Sequence, residues 1–288
     1  MSVAAADAGL TVAIWGCRGS IPTAGPATQR YGGETSCYEL RAGGRSLVVD
    51  AGSGLRALGA RMTAEGAAPD ALSILLTHPH LDHLLGLSAF APLIARRTEV
   101  AIWTPRPVEE VARALGHLFA PPLWPLDLMG GRWLGVRRIE SGAPTMVDGF
   151  EATPFPLTHP GGASGYRLRR GGRTVTVVTD HEHGDAAVDA GVRAMADGAD
   201  LLIYDAAYAQ SEYDARRGWG HSTWEMGARL AAETGAKRTL LTHHAPERDD
   251  AALDAAAARL AADGAAGVGF ARDGLVITLP SASAAAGA

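Results

Sequence analysis

Residues 77–83 read Thr-His-Pro-His-Leu-Asp-His, directly after the apolar run 72–76, Leu-Ser-Ile-Leu-Leu. Three imidazoles and a carboxylate (His78, His80, Asp82 and His83) therefore stand at the end of what the pattern predicts to be a buried strand. Alternate residues of an extended segment project to one side, so His78 and His80 can converge on one ion. Asp82 and His83 fall at the start of the next helical pattern and can face a second ion. The plainer reading of such a stretch is a solvated polar loop. Carboxylate and imidazole together suit zinc, manganese or iron rather than calcium.

One loop cannot close two metal sites, so more donors are required at other strand ends. His159 follows Phe-Pro-Leu-Thr, Asp180 follows Thr-Val-Thr-Val-Val-Thr, and His243 follows Arg-Thr-Leu-Leu-Thr. Each closes an apolar β-type run, as the first motif does. Polar residues of metal-binding type at four strand ends carry the metal reading over the solvated-loop one.

The chain has 288 residues, 47% of them hydrophobic, enough for a large core. With 26 basic against 31 acidic residues the net charge is −5, a field that disfavours extended nucleic-acid binding. Two cysteines, Cys17 and Cys37, form no disulfide framework. The first residues lack a basic signal region and no apolar run is long enough to span a bilayer, so a cytoplasmic protein that does not engage membranes is expected. Strands are expected near 10–15, 46–50, 72–77, 100–104, 174–179, 201–204 and 238–242. Helices are expected near 83–95, 107–118, 188–197, 223–234 and 250–262. The mixture indicates a layered α/β or α+β class. Residues 1–9 and 281–288 are expected to be disordered, leaving one domain over 10–280. The Gly/Pro-rich stretch 16–33 reads as a loop lying over something. Segment 104–150 is either an inserted cap or an ordinary helix and loop on the core.

The motif His-x-His-x-Asp-His with a distant His, Asp and His resembles the metallo-β-lactamase fold hydrolase superfamily over about residues 11–275. The stretches 16–23 (Gly-Cys-Arg-Gly-Ser-Ile-Pro-Thr), 31–40, 47–55 and 243–250 (His-His-Ala-Pro-Glu-Arg-Asp-Asp) resemble its branch of ribonuclease Z-like, PhnP-like and cyclic-nucleotide phosphodiesterases. The resemblance implies an α+β layered αβ/βα sandwich, two packed mixed β-sheets flanked by helices, with a dinuclear site at one edge. It implies that His78, His80 and His159 hold one divalent ion and Asp82, His83 and His243 the other, with Asp180 bridging. Zinc is the first expectation, manganese or iron the alternatives. A bridging carboxylate lowers the repulsion between two such ions, and a water shared between them would lose its proton near neutral pH and serve as nucleophile.

His221, in Gly-Trp-Gly-His-Ser-Thr-Trp-Glu (218–225), can hold a phosphate oxygen or protonate the leaving alkoxide. Ser222 and Glu225 fit a capping box for the helix that follows. The resemblance implies the acid role for His221, puts Asp205 in place to orient it, and counts Asp82 with the catalytic groups. Asp50 is implied as a hydrogen-bonding partner of the ligands. His181, Glu182, His183 and His244 are either neighbours that fix the ligands or plain polar loop, and His117 reads as surface. Ser20, Thr35 and Ser36 fall near the mouth without assigned chemistry.

The arginines of 96–138 are interleaved with apolar residues and prolines, so they form no clear basic arm. The expected substrate is therefore a small phosphodiester, a cyclic nucleotide or ribose cyclic phosphate, with Trp103, Trp124 and Trp219 as candidates to stack on it. The cysteine-rich zinc feature of PhnP-like enzymes is lacking here. The alternatives are a ribonuclease Z-like tRNA 3′ endonuclease, a thioester or lactone hydrolase, and a non-catalytic metal-binding sensor. A homodimer is left open.

Overall fold

The computed structural model describes residues 9–281. The expectations of disorder at 1–9 and 281–288 therefore lie, apart from Gly9 and Ser281, outside the described residues. The chain opens with β1 (Leu10–Gly16), β2 (Cys37–Ala42), β3 (Arg45–Val49), α1 (Leu55–Ala64), β4 (Ala71–Leu75), α2 (Ala91–Ile94), β5 (Glu99–Thr104), α3 (Val108–Leu118) and β6 (Leu134–Arg138). It continues with β7 (Thr145–Val147), β8 (Phe150–Leu157), β9 (Ala163–Arg170), β10 (Arg173–Val178), α4 (Ala186–Ala196), β11 (Leu201–Asp205), α5 (Gln210–Tyr213), α6 (Trp224–Thr234), β12 (Thr239–Thr242), α7 (Asp250–Ala262), β13 (Val268–Phe270) and β14 (Val276–Leu279).

Two seven-stranded sheets result, in the orders β14-β1-β2-β3-β4-β5-β6 and β13-β12-β11-β10-β9-β8-β7. Each joins an antiparallel meander to a parallel run, β3 to β6 in the first and β10 to β13 in the second. The last strand returns to the first sheet, pairing Leu10 with Leu279 and Ala13 with Val276. The layered sandwich expected from the sequence is this architecture.

Period-2 alternation decides which side chains meet. Leu47 and Val49 of β3 face Val175, Val177, Leu201 and Ile203 of the second sheet in a core sealed from water. The alternate residues point outward. Val48, Ile74 and Ile102 pack under α1 and α3 through Leu55, Leu58, Val111 and Leu115. On the other side Val178, Leu202 and Tyr204 pack under α4 and α6, and Leu241 under α7. Burial on both faces is why these strands read as continuous apolar runs. Two buried hydroxyls stitch the sheets beneath the strand ends. Tyr166 donates to the Leu76 carbonyl at 2.7 Å, and Tyr38 pairs with Thr242 at 2.8 Å.

Several expectations are corrected. The single helix over 83–95 is instead two 3-10 turns, Leu81–His83 and Leu85–Ala89, followed by α2. Gly86 packs against the Gly52 backbone in that stretch, and Pro92 can only begin a new helix, not continue one. The capping box at Ser222 does not form. Thr223 caps α6 through the Met226 N–H, and Glu225 bonds the Gln210 N–H instead. Segment 104–150 runs through α3, a loop and the strands β6 and β7, with Phe119, Leu128 and Trp133 packed on the outer core of the first sheet. Among the described residues no helix is long and apolar enough to cross a membrane.

Loop 16–33 is pinned by the fully buried Arg18, whose guanidinium donates to the carbonyls of Gly32 at 2.6 Å and Arg248 at 2.7 Å. Nearby, the Asp273 carboxylate accepts from the Glu34 N–H at 3.0 Å and lies 3.5 Å from the Cys17 thiol. Burial raises its pKa to about 6. The folded chain thus binds this proton more tightly than the unfolded one. The stability it contributes is present below about pH 4 and lost as pH rises through about 6, on the order of 3 kcal/mol. Asp273→Asn should remove that dependence. In thermal melts the variant's Tm should gain on the wild type between pH 4 and pH 7, and a gap independent of pH would refute the assignment.

Candidate metal centre

The carboxyl ends of β3, β4, β8, β10, β11 and β12 converge at one edge of the sandwich and present Asp50, His78, His159, Asp180, Asp205 and His243. Three of these residues have left-handed backbones although none is glycine: Asp50 at φ 61°, Asp180 at φ 58° and His243 at φ 61°. Such strain at a strand end is the mark of a turn held for what its side chain does.

The seven sequence-derived ligand candidates come together as two neighbouring sets. Nitrogens of His78, His80 and His159 lie within 4.8 Å of one another, and so do donor atoms of Asp82, His83, Asp180 and His243. Asp180 stands between the sets. Its Oδ1 is 3.8 Å from the Nε2 atoms of both His78 and His159, while its Oδ2 is 3.2 Å from His83 and 3.3 Å from His243. Asp82 Oδ2 is 3.2 Å from His83 Nε2 and is held by the Ser20 N–H at 2.9 Å. Ser20 thus acquires a role that residue type alone did not reveal.

The donors fit a pair of cations. The Nε2 atoms of His78, His83 and His243 are buried and have no hydrogen-bond partner, a cost that proteins do not normally leave unmet. The second nitrogens are engaged. His83 Nδ1–H donates to Asp50 at 2.8 Å, and His159 Nδ1–H donates to the Gly220 carbonyl at 2.8 Å. His78 Nδ1 lies 3.1 Å from the Thr77 hydroxyl, and His243 Nδ1 lies 3.2 Å from that of Thr179. Fixing one nitrogen in this way turns the other toward an ion. Thr77 in turn donates from its N–H and its hydroxyl to Asp50.

Electrostatics favour ligand-ready forms at His78, His80, His243 and Asp180; at His83 burial lowers the pKa, but Asp82, Asp180 and Asp50 outweigh it and hold a proton that a cation would have to displace. Burial, then repulsion from His83, holds His78 well below the ordinary imidazole range. Burial also lowers His80 and, despite Asp180, His243. For Asp180 burial raises the pKa, but His243, His83 and His78 together outweigh it and keep the carboxyl ionised. Removal of competing protons is what a cation requires of its ligands.

Beside these sets, Asp205 Oδ2 accepts from His221 Nδ1–H at 2.9 Å, and its Oδ1 accepts from the Ser222 N–H at 2.9 Å. Burial lowers the His221 pKa, but Asp205 overrides it and lifts it to about 9. The His221 ring stacks 4.7 Å from His243 and lines a cleft of about 420 Å³ with Ser20, Tyr208, Arg216, Trp219 and Glu247. Arg216 lies over two aromatic faces, 4.7 Å from the Tyr208 ring centre and 5.3 Å from that of Trp219. Of the three tryptophans offered for stacking, only Trp219 stands at the cleft, 59% exposed. Trp103 packs on the inter-sheet core with its N–H on Ser73, and Trp124 packs on the outer core of the first sheet.

Other candidates resolve by their contacts. His244 turns away, with Nε2 on the Ala271 carbonyl at 2.9 Å and burial pushing its pKa to about 3. His181 bonds Asp189 at 3.2 Å, His183 bonds Ser222 at 2.7 Å, and His117 is exposed on α3. Thr35 bonds the Asp82 carbonyl at 2.7 Å, and Ser36 lies 3.5 Å from His243. Tyr208 and Arg216 were not singled out in the sequence, since an arginine between aromatics far from the histidine motif carries no local signature.

The β-lactamase superfamily domain matches residues 45–244. A ribonuclease Z from Bradyrhizobium sp. is 30% identical over 253 residues, covering 71% of this chain and 81% of the relative. The metallo-β-lactamase fold protein YhfI from Bacillus subtilis has a TM-score of 0.71 at 24% identity, over 94% of this chain and 99% of that one. A diphosphatase from the PhnP family has a TM-score of 0.68 at 20% identity, over 94% and 98%. The matched residues span every strand end just described, and the chain belongs to the β-lactamase superfamily, as a hydrolase of metallo-β-lactamase fold related to the ribonucleases Z.

Proposed function

We propose that the chain hydrolyses a phosphodiester bond in a small substrate, a cyclic nucleotide or ribose cyclic phosphate, with two divalent ions, zinc foremost and manganese or iron acceptable. The observation that carries this reading is the His221–Asp205 pair, with His221 and His243 in the wall of a cleft of about 420 Å³ and the His221 ring 5.3 Å from that of His159. That volume is within the range of small-ligand sites. His78, His80 and His159 would hold one ion and Asp82, His83 and His243 the other, with Asp180 shared. When bound, such ions supply Lewis acidity toward a phosphoryl oxygen and lower the pKa of water.

The remaining steps belong to the chain. Asp205 fixes the His221 tautomer, so that Nδ1 keeps its proton and Nε2 serves the cleft. Protonated His221 donates that second proton to the leaving oxygen, which needs it if an alkoxide is to depart. Two dications nearby would pull its pKa back toward neutrality by repulsion, which suits proton donation. Trp219 offers an aromatic face, and Arg216 a cation for a substrate anion.

The ribonuclease Z reading is favoured by the named relative. Against it, four of the seven arginines of 96–138 are engaged locally. Arg106 pairs with Glu110, Arg132 with Glu99 and Arg138 with Glu140, while Arg137 covers Trp103. A cytoplasmic setting remains part of the proposal, consistent with the free, buried thiols of Cys17 and Cys37. The test offers zinc- or manganese-loaded protein bis-p-nitrophenyl phosphate, a 2′,3′-cyclic nucleotide, a thioester, a lactone and a pre-tRNA. Turnover of the diesters with intact pre-tRNA is expected. Cleavage of pre-tRNA at its 3′ end would transfer the reading to the endonuclease, preferential turnover of the thioester or lactone to that class, and no turnover at all to a sensor.

A further inference from the structure

Glu182 follows Asp180 by two residues and is half-buried, yet it is neither a candidate ligand nor part of the cleft lining. Its carboxylate accepts the Gly218 N–H at 2.8 Å on both oxygens and the Gly220 N–H at 2.8 Å on Oε2. Its backbone N–H donates to the Thr158 carbonyl at 2.8 Å, next to His159. His159 in turn donates from Nδ1 to the Gly220 carbonyl at 2.8 Å. These links close a ring through segments 158–159, 180–182 and 218–221.

The backbone of the braced loop is built for this. Gly218 and Gly220 both have φ 85°, a conformation that side-chain-bearing residues avoid. A Cβ on Gly220 would lie 2.3 Å from His159 Nδ1, so the loop and the ligand histidine are in direct contact and must move together. Between the glycines stands Trp219 at the cleft, and directly after them stands His221. One carboxylate therefore anchors the loop that orients a ligand, forms a cleft wall and delivers the acid.

We propose that Glu182 is a positioning residue that locks the 218–220 loop and, through the Gly220 carbonyl, sets the His159 imidazole for metal binding and His221 for proton donation. The proposal rests on the dinuclear reading given above. Both carboxylate oxygens lie 2.8 Å from the Gly218 nitrogen, so in Glu182→Gln an amide in either orientation would set its NH₂ against that N–H, donor to donor.

The experiment titrates metal-stripped full-length protein with Zn²⁺ against a competing chelator, for wild type, Glu182→Gln, Glu182→Ala and Glu233→Gln as a surface control. Circular dichroism and Tm check folding, and hydrogen exchange is followed over 216–222. Wild type should take two equivalents. In Glu182→Gln one of the two should bind about 10–100-fold more weakly, the range for loss of a group that orients a ligand histidine. Exchange over 216–222 should rise, and kcat on a cyclic nucleotide should fall at least tenfold with KM changed less. Glu233→Gln should match wild type. Should the alanine variant fail to fold, the isosteric glutamine variant decides. Two wild-type-like affinities with unchanged exchange in a folded Glu182→Gln protein would overturn the brace alone. A wild-type chain that takes up no zinc would overturn the dinuclear reading, and the brace with it.

Discussion

Asp180→Ala is expected to cost roughly a thousandfold or more in turnover, because in the proposed dinuclear centre several kcal/mol of transition-state stabilisation would depend on ions that this carboxylate shares. Its two oxygens face different sets, Oδ1 toward His78 and His159 and Oδ2 toward His83 and His243. Removing both would leave the two proposed dications with no shared anion between them and raise their mutual repulsion. Elemental analysis should find fewer than two metals per chain after reconstitution. Asp180→Asn sharpens the test, since an amide offers one oxygen and turns an NH₂ group toward the other set. It should lose occupancy chiefly at one position. Retention of two metals and near-normal turnover in the alanine variant would remove Asp180 from the bridging role.

His221→Ala should lower turnover by about 10²–10⁴-fold on a cyclic nucleotide, the ordinary worth of a placed general acid. The size of the loss should depend on the leaving group. A ribose alkoxide cannot leave without a proton, whereas p-nitrophenolate departs as a stable anion. Loss on bis-p-nitrophenyl phosphate should therefore be far smaller, roughly tenfold or less. Asp205→Asn should follow the same pattern in weaker form, since an amide carries no charge to stabilise the protonated imidazole and holds its tautomer less firmly. Equal losses on both substrates would mean that His221 binds the diester rather than protonating the departing oxygen.

The sandwich was legible because its parallel strands are buried on both faces. The runs ending at Val49, Leu76, Val178 and Leu241 are largely apolar, and each leads within two residues to a polar side chain that has no place in a core, Asp50, His78, Asp180 or His243. Strands β6 to β9 were obscure for a physical reason. β8 carries Pro154 and Pro156, and β9 carries Arg167 and Arg169 on its outer face and Arg170 at its end, so neither shows an apolar run. α1 was missed because its buried positions, Leu55, Leu58, Gly59 and Met62, include a glycine and give only a weak stripe. The same limit applies to the site. The histidine motif announces itself by spacing, but Glu182 acts through backbone N–H groups of glycines 36 and 38 residues away, and no pattern in one sequence connects them. Trp103 and Trp124 misled in the opposite direction, because an aromatic near a proline-rich loop looks the same whether it packs inward or meets a ligand.

The pairing of β14 with β1 joins residues near the two extremes of the described chain. On the ribosome, β1 would be made first and would keep an open hydrogen-bonding edge until residues 276–279 had been synthesised. The second sheet, built wholly from 145–270, can assemble earlier. Non-local closure of this kind slows folding and leaves an edge available for wrong partners in the interval. Vectorial synthesis thus favours completing the second sheet before the first, and a nascent chain halted short of residue 276 would carry a strand edge that chaperones must shield.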